Sequence, residues 1–135
     1  GLLIVQGPLM LNWKHRKAGI LPRIENSNIN HDSPVTLQRI KLWVDAHIHV
    51  KNKPEYIFIK LHTHGCQENN IRYLLGRGLD DLFALFNEHY NDGKRHRLFY
   101  TTAREMVNVI KALEDNQATD TPGILKNYLY VRNAS

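Results

Sequence analysis

One cysteine, Cys66, is the only thiol in this chain of 135 residues, so no disulfide framework braces it and the fold must rest on packing. Long apolar runs are missing too: no segment is extended enough to span a membrane. The glycines form no phosphate-cradling loop, because Gly76-Arg77-Gly78 is too short and lacks the Lys-Ser/Thr ending. Zinc-finger spacing and an aromatic-interleaved basic patch are also absent, which argues against a nucleic-acid partner. No two histidines stand four apart, and there is no internal repeat or low-complexity segment.

What the chain has is a mild excess of cations, 18 Lys and Arg against 13 acids, for a net charge of +5. The excess is scattered over Lys14, Arg16, Lys17 and Arg23 and then Lys94, Arg95 and Arg97. That pattern suits an anionic substrate or plain solubility. A hydrophobic content of 42% gives enough apolar surface for one globular domain over residues 1–135. The first residues, Gly1 to Val5, are too short for a signal peptide and carry no basic region. Opening directly on a strand-like Leu2–Gln6, the chain reads as a C-terminal fragment of a larger barrel whose N-terminal part is missing.

Strand and helix signals alternate. The strand Leu2–Gln6 is followed by a long irregular stretch from Gly7 to Asp32, a length that in compact domains is often functional. Ser33-Pro34 reads as an N-cap with proline in the first turn. The helix it opens runs to about His47, with Leu37, Ile40, Val44 and Ile48 in one stripe. Asn52-Lys53-Pro54 ends it and the strand Glu55–His62 follows. A short helical turn spans Ile71–Leu75. A helix from Leu79 to about Tyr90 turns Leu82, Phe83, Phe86 and Tyr90 inward. Then come a strand at His96–Tyr100, a helix from the capping box Thr102–Glu105 to about Asp115 with Met106, Ile110 and Leu113 inward, and a last strand near Tyr128–Val131. This order predicts an α/β fold of parallel strands alternating with helices, the C-terminal half of a (β/α) barrel, or else a small open sheet.

The most chemical feature is His62-Thr63-His64-Gly65, at the end of the alternating run Glu55–His62. Ile57, Ile59 and Leu61 fall on one face of that run, and Tyr56, Phe58, Lys60 and His62 on the other. Imidazoles at the C-terminal end of a strand are how α/β sheets and barrels present catalytic groups. The bland alternative is a pair of hydrogen-bonded loop histidines. Cys66 near His64 lacks an identifiable Asn or Asp to orient a nucleophilic pair. Asp80-Asp81 read as first-turn acids that favour the helix dipole. Val44-Asp45-Ala46-His47-Ile48-His49 copies the Asp-x-His-x-His string of metal-dependent amidohydrolases. On a helix, however, residues two apart diverge by roughly 200°. His47 and His49 are therefore expected on a helix, sharing no metal, and the amidohydrolase reading stands as an alternative.

Several segments together carry a resemblance: Leu3–Leu9 with Leu11-Asn12-Trp13, Pro22–Asn26, Lys60–Gly65, and Tyr100–Met106. In this order and spacing the chain resembles a bacterial family linked to exopolysaccharide gene clusters, described as polysaccharide-deacetylase-like and related to the NodB-homology carbohydrate esterases. The resemblance implies a deformed (β/α) barrel acting on a carbohydrate substrate. It implies metal-assisted removal of acetyl groups, with a divalent metal such as zinc. The family's Asp-Asp pair after a first strand and its His-x-x-x-His motif have no counterpart in this chain, where Asp80-Asp81 precede a helix, so the isolated chain is expected to be inactive. A carbohydrate-binding or assembly protein without catalysis is the alternative. Under the resemblance, His62 is the general acid with His64 second, and Arg23 orients a carboxylate. Asn12, Trp13, Glu25, Asn26 and Lys60 contact the sugar, Trp13 by stacking.

Overall fold

Two residues in the left-handed region, Ala18 at φ 53° and Gly19 at φ 75°, turn the chain back on itself. Short hairpin loops demand this conformation, and glycine adopts it without steric cost. The turn joins β1 (Met10–Lys17) to β2 (Leu21–Glu25). The computed structural model describes residues 3–64, 67–117 and 122–129; among them this antiparallel pair is the only sheet. Its register sets Met10 opposite Glu25, Leu11 opposite Ile24 and Asn12 opposite Arg23. It then slips between Asn12 and Arg16, so that Arg16 faces Pro22. The slip is a bulge that lifts Trp13, Lys14 and His15 out of the ladder.

The hairpin overturns the parallel-strand barrel expected from the sequence, and it occupies much of the stretch read as irregular. Residues 3–9 and 96–100 form no strand. Along Glu55–His62 there is an isolated parallel bridge from Asn28 to His62, and the Phe58 N–H donates to the Ile48 carbonyl at 2.8 Å. Alternation marks an extended backbone, whereas a strand needs a neighbour in matched register along its length. Here each neighbour meets the run at one place. The strand expected at Tyr128–Val131 lies partly outside the described residues, as do Gly65 and Cys66.

Helix α1 (Leu37–Asp45) starts three residues later than Ser33-Pro34 predicts, because Thr36 is the cap and its Oγ1 accepts the Arg39 N–H. It is capped by Ala46, and His47 follows at φ 48°. His47 and His49 thus lie beyond the helix, correcting their expected place. Helix α2 (Glu68–Tyr73) runs through a π turn at Leu74–Gly78, kinked at Gly76, into α3 (Leu79–Tyr90). Helix α4 (Ala103–Glu114) begins at the expected capping box, with Thr102 and Glu105 each accepting the other's backbone N–H.

The chain divides into two compact units. The larger, Ile4–Ile48 with Ile57–Arg97, holds the hairpin and α1 to α3. Trp43 and Ile40 of α1 are fully buried there, with Ile29, Val35, Leu82 and Phe86 also buried. Trp43 and Phe86 stack with ring centroids 6.3 Å apart. The smaller unit, Gly1–Leu3, His49–Tyr56 and Leu98–Ser135, holds α4 and a 3₁₀ turn at Pro122–Asn127. There the Asn108 amide donates to the Lys126 carbonyl at 2.7 Å, and Val109, Ala112, Leu113 and Leu125 are buried. Leu113 is buried as expected, whereas Met106 and Ile110 are half-buried and Val109 and Ala112 complete the buried face of α4.

Gly78 lets the π turn close. A Cβ there would stand 2.6 Å from the Tyr73 ring and 2.7 Å from its carbonyl oxygen. The ring is tethered as well, since Tyr73 Oη accepts the Val35 N–H at 2.9 Å. Gly78→Ala is expected to destabilise the protein by about 1–3 kcal/mol, the usual cost of overpacking, despite alanine's better helix propensity. A lowered urea midpoint checks this, and an unchanged midpoint would contradict it.

Candidate functional site

Glu25, the last residue of β2, carries a carboxylate that is 6% exposed, and the Arg39 side chain is 8% exposed. They meet bidentately: Arg39 Nε donates to Oε2 and Nη2 to Oε1, each at 2.8 Å. Trp43, one helical turn beyond Arg39, donates its Nε1–H to Oε1 at 2.9 Å, and the Ser27 N–H donates to the same oxygen at 3.0 Å. The Arg39 guanidinium also lies over the Trp43 ring, 5.1 Å from its centroid. Burial alone would raise the Glu25 pKa. The hydrogen bonds from Arg39 and Trp43, the Arg39 charge and the Ser27 amide outweigh it and hold the carboxyl below its ordinary value. The remaining Arg39 N–H groups donate to the carbonyls of Ser33, Pro34 and Asn28. One buried guanidinium thus ties β2, α1 and the segment between them.

That segment alternates. Ser27 and Ile29 are buried, while Asn26, Asn28, Asn30 and Asp32 line one cleft. The alternation is that of an extended chain with one face on the core. Ser27 pays for it with φ 61°, a left-handed conformation that costs a non-glycine residue about 1–3 kcal/mol. Its N–H bond to Glu25 and its Oγ–H bond to the Lys60 carbonyl at 2.8 Å hold it there. The Ile29 N–H donates to the His62 carbonyl at 2.9 Å. Two residues of α2, unremarked in the sequence, hold the far side. Asn70 is buried; it accepts the His31 N–H and donates to the His64 carbonyl. Tyr73 accepts the Val35 N–H.

The cleft has a volume of about 520 Å³, within the usual range for small-ligand sites, yet it is lined by amides and guanidinium groups rather than the usual apolar majority. It gathers four of the expected site residues: Asn12, Arg23, Glu25 and Asn26. They differ in readiness. Asn12 is buried, and its Oδ1 already accepts from Gln38 and the Lys14 N–H. Glu25 is saturated by its four donors, so it builds the cleft instead of contacting a ligand. Arg23 is exposed, and its Nη2 donates to Ser33 Oγ at 2.9 Å. Asn26 is exposed, with Oδ1 accepting the Asn28 N–H. Most telling, Asn28 Oδ1 and Asn30 Oδ1 are buried and accept no hydrogen bond among the described residues. The sequence carried a sign of this: asparagine or aspartate at every second position from Asn26 to Asp32.

His62, His64, Lys60 and Trp13 are not among the lining residues. His62 and His64 lie edge to face, ring centroids 6.2 Å apart. Burial, then the charges of Lys60 and His64, push the His62 pKa below its ordinary value, so at neutral pH it is an uncharged imidazole. Trp13 stands exposed on the hairpin bulge, next in sequence to Asn12. Among the described residues no three His, Cys, Asp or Glu side chains come together as a metal-holding group. Neither His47 nor His49 belongs to such a group among the described residues. No helix among the described residues is long and apolar enough to cross a membrane.

Comparison of the chain with family models, with curated proteins and with solved structures gives no match.

The Glu25 geometry sets a pH dependence. Its folded pKa lies below the ordinary 4.5, so its stabilisation is complete above that value and is lost as pH falls through the folded pKa. Glu25→Gln, which strands the Arg39 charge, is expected to cost about 3–5 kcal/mol at neutral pH and to flatten the acid limb of the stability profile. Urea melts between pH 3 and 7, a range on the order of the carboxylate titration window, check both. A variant as stable as the parent at neutral pH would show that the pair does not hold this region.

Proposed function

We propose that this protein binds carbohydrate, and that the cleft beside β2 holds a sugar chain. The observation that carries the reading is the pair of buried, unpartnered amide oxygens at Asn28 and Asn30 in a cleft lined by further amides. A buried acceptor without a donor costs about 1–3 kcal/mol. A polyhydroxylated ring supplies several hydroxyl donors and relieves that cost. The exposed Asn26 amide offers a complementary donor. Exposed Trp13 suits stacking on a sugar face. The resemblance to polysaccharide-deacetylase-like proteins points to the same ligand class.

A second reading, acyl hydrolysis on the sugar, has one observation in its favour. Bridge partners on adjacent parallel segments project their side chains to the same side, and the bridge from Asn28 to His62 therefore sets His62 beside the cleft. Its lowered pKa suits a general base better than the general acid of the resemblance.

Binding and stability discriminate sharply here. Asn28→Ala and Asn30→Ala each remove an unpaired acceptor, so each variant is expected to be as stable as the parent or more so. Each is also expected to weaken oligosaccharide binding by about 2- to 10-fold. Calorimetric titration against a panel of neutral, N-acetylated and uronate oligosaccharides, with thermal melts alongside, measures both. No binding to any member of the panel, or binding that both variants retain in full, would contradict the reading.

A further inference from the structure

We propose that the cleft selects an anionic sugar, a uronate whose carboxylate pairs with Arg23 while its ring hydroxyls meet Asn28 and Asn30; this rests on the carbohydrate reading above. Four charged side chains line the cleft: Glu25, Asp32, Arg23 and Arg39. Glu25 and Arg39 are buried against each other and cancel. Asp32 is 90% exposed and meets His31 Nδ1 at 3.2 Å, so its charge faces solvent at the rim. Arg23 is the cation left over.

Its geometry suits a carboxylate. Nη2 donates to Ser33 Oγ, which tethers the guanidinium at the cleft. The other N–H groups, Nε and Nη1, make no hydrogen bond among the described residues. A planar fork held at one nitrogen and open at the others is prepared for a carboxylate, and charge-assisted bonds of this kind are about twice as strong as neutral ones. A neutral sugar uses the asparagine acceptors but leaves that fork to water. A lysine in the same place would supply charge without the fork.

The same tether makes the test clean, because Arg23 is exposed and among the described residues it hydrogen-bonds to Ser33 alone. Its replacement therefore removes little that the fold needs. Trigalacturonate, galactotriose and a sulfated galactotriose are titrated against the parent, Arg23→Gln and Arg23→Lys, with a thermal melt for each protein. The parent is expected to bind trigalacturonate about 10- to 100-fold more tightly than galactotriose. Arg23→Gln should erase that preference, so that trigalacturonate and galactotriose bind alike, while Arg23→Lys keeps part of it. Equal affinity of the parent for the neutral and acidic trisaccharides overturns the selectivity and leaves the carbohydrate reading standing. Failure to bind either one overturns both. A sulfated trisaccharide that binds as tightly as the uronate overturns the assignment to a carboxylate. Preference retained in Arg23→Gln overturns the role of Arg23.

Discussion

A buried carboxylate and a buried guanidinium survive together only if nearly all of their hydrogen-bonding groups find partners, and in this protein those of Glu25 and Arg39 do. Desolvating two charges costs several kcal/mol per ion, on the order of what a single pair returns. Geometry decides the balance. The Glu25 carboxylate accepts from Arg39 twice, from Trp43 and from the Ser27 amide. Arg39 spends its remaining N–H groups on the carbonyls of Asn28, Ser33 and Pro34. The end of the hairpin, the first helix and the segment between them are consequently one hydrogen-bonded unit. Trp43, stacked on Phe86, anchors that unit in the core.

The cleft follows from this clamp. With Ser27 and Ile29 drawn inward, the intervening asparagines have nowhere to face but outward, and Ser27 is held at a positive φ that the unsupported chain would leave. Strain at Ser27 and unpaired oxygens at Asn28 and Asn30 are both costs to stability. They fall within four residues, 27–30, beside the most heavily bonded ion pair among the described residues. A stable frame around a strained, under-satisfied surface is the usual arrangement of a binding site.

The sequence made some of this legible and hid the rest for physical reasons. The capping box at Thr102–Glu105 was plain, because its bonds are local and the spacing alone specifies them. Asn12, Arg23, Glu25 and Asn26, which the resemblance named for separate roles, line one cleft, where Glu25 is occupied by its buried partners. The strand at Glu55–His62 misled, since alternation reports an extended backbone and says nothing of the neighbours a ladder needs. Ser33-Pro34 misled similarly: its carbonyls accept from Arg39, and Thr36 takes the cap. His62 drew attention by its chemistry, whereas Asn28 and Asn30, with blander side chains, carry the unsatisfied acceptors. The partner that makes Arg39 intelligible lies fourteen residues away, beyond the reach of any local pattern.

The most direct test of the account watches the asparagine side chains themselves. In heteronuclear amide spectra of the full chain titrated with trigalacturonate, the side-chain NH₂ signals of Asn26, Asn28 and Asn30 and the Arg23 Nε–H signal are expected to shift together, with the Trp43 indole signal nearly still. Shifts confined to the Trp13 indole and to the rings of His62 and His64, with the asparagine signals unmoved, would place the ligand elsewhere and contradict the account.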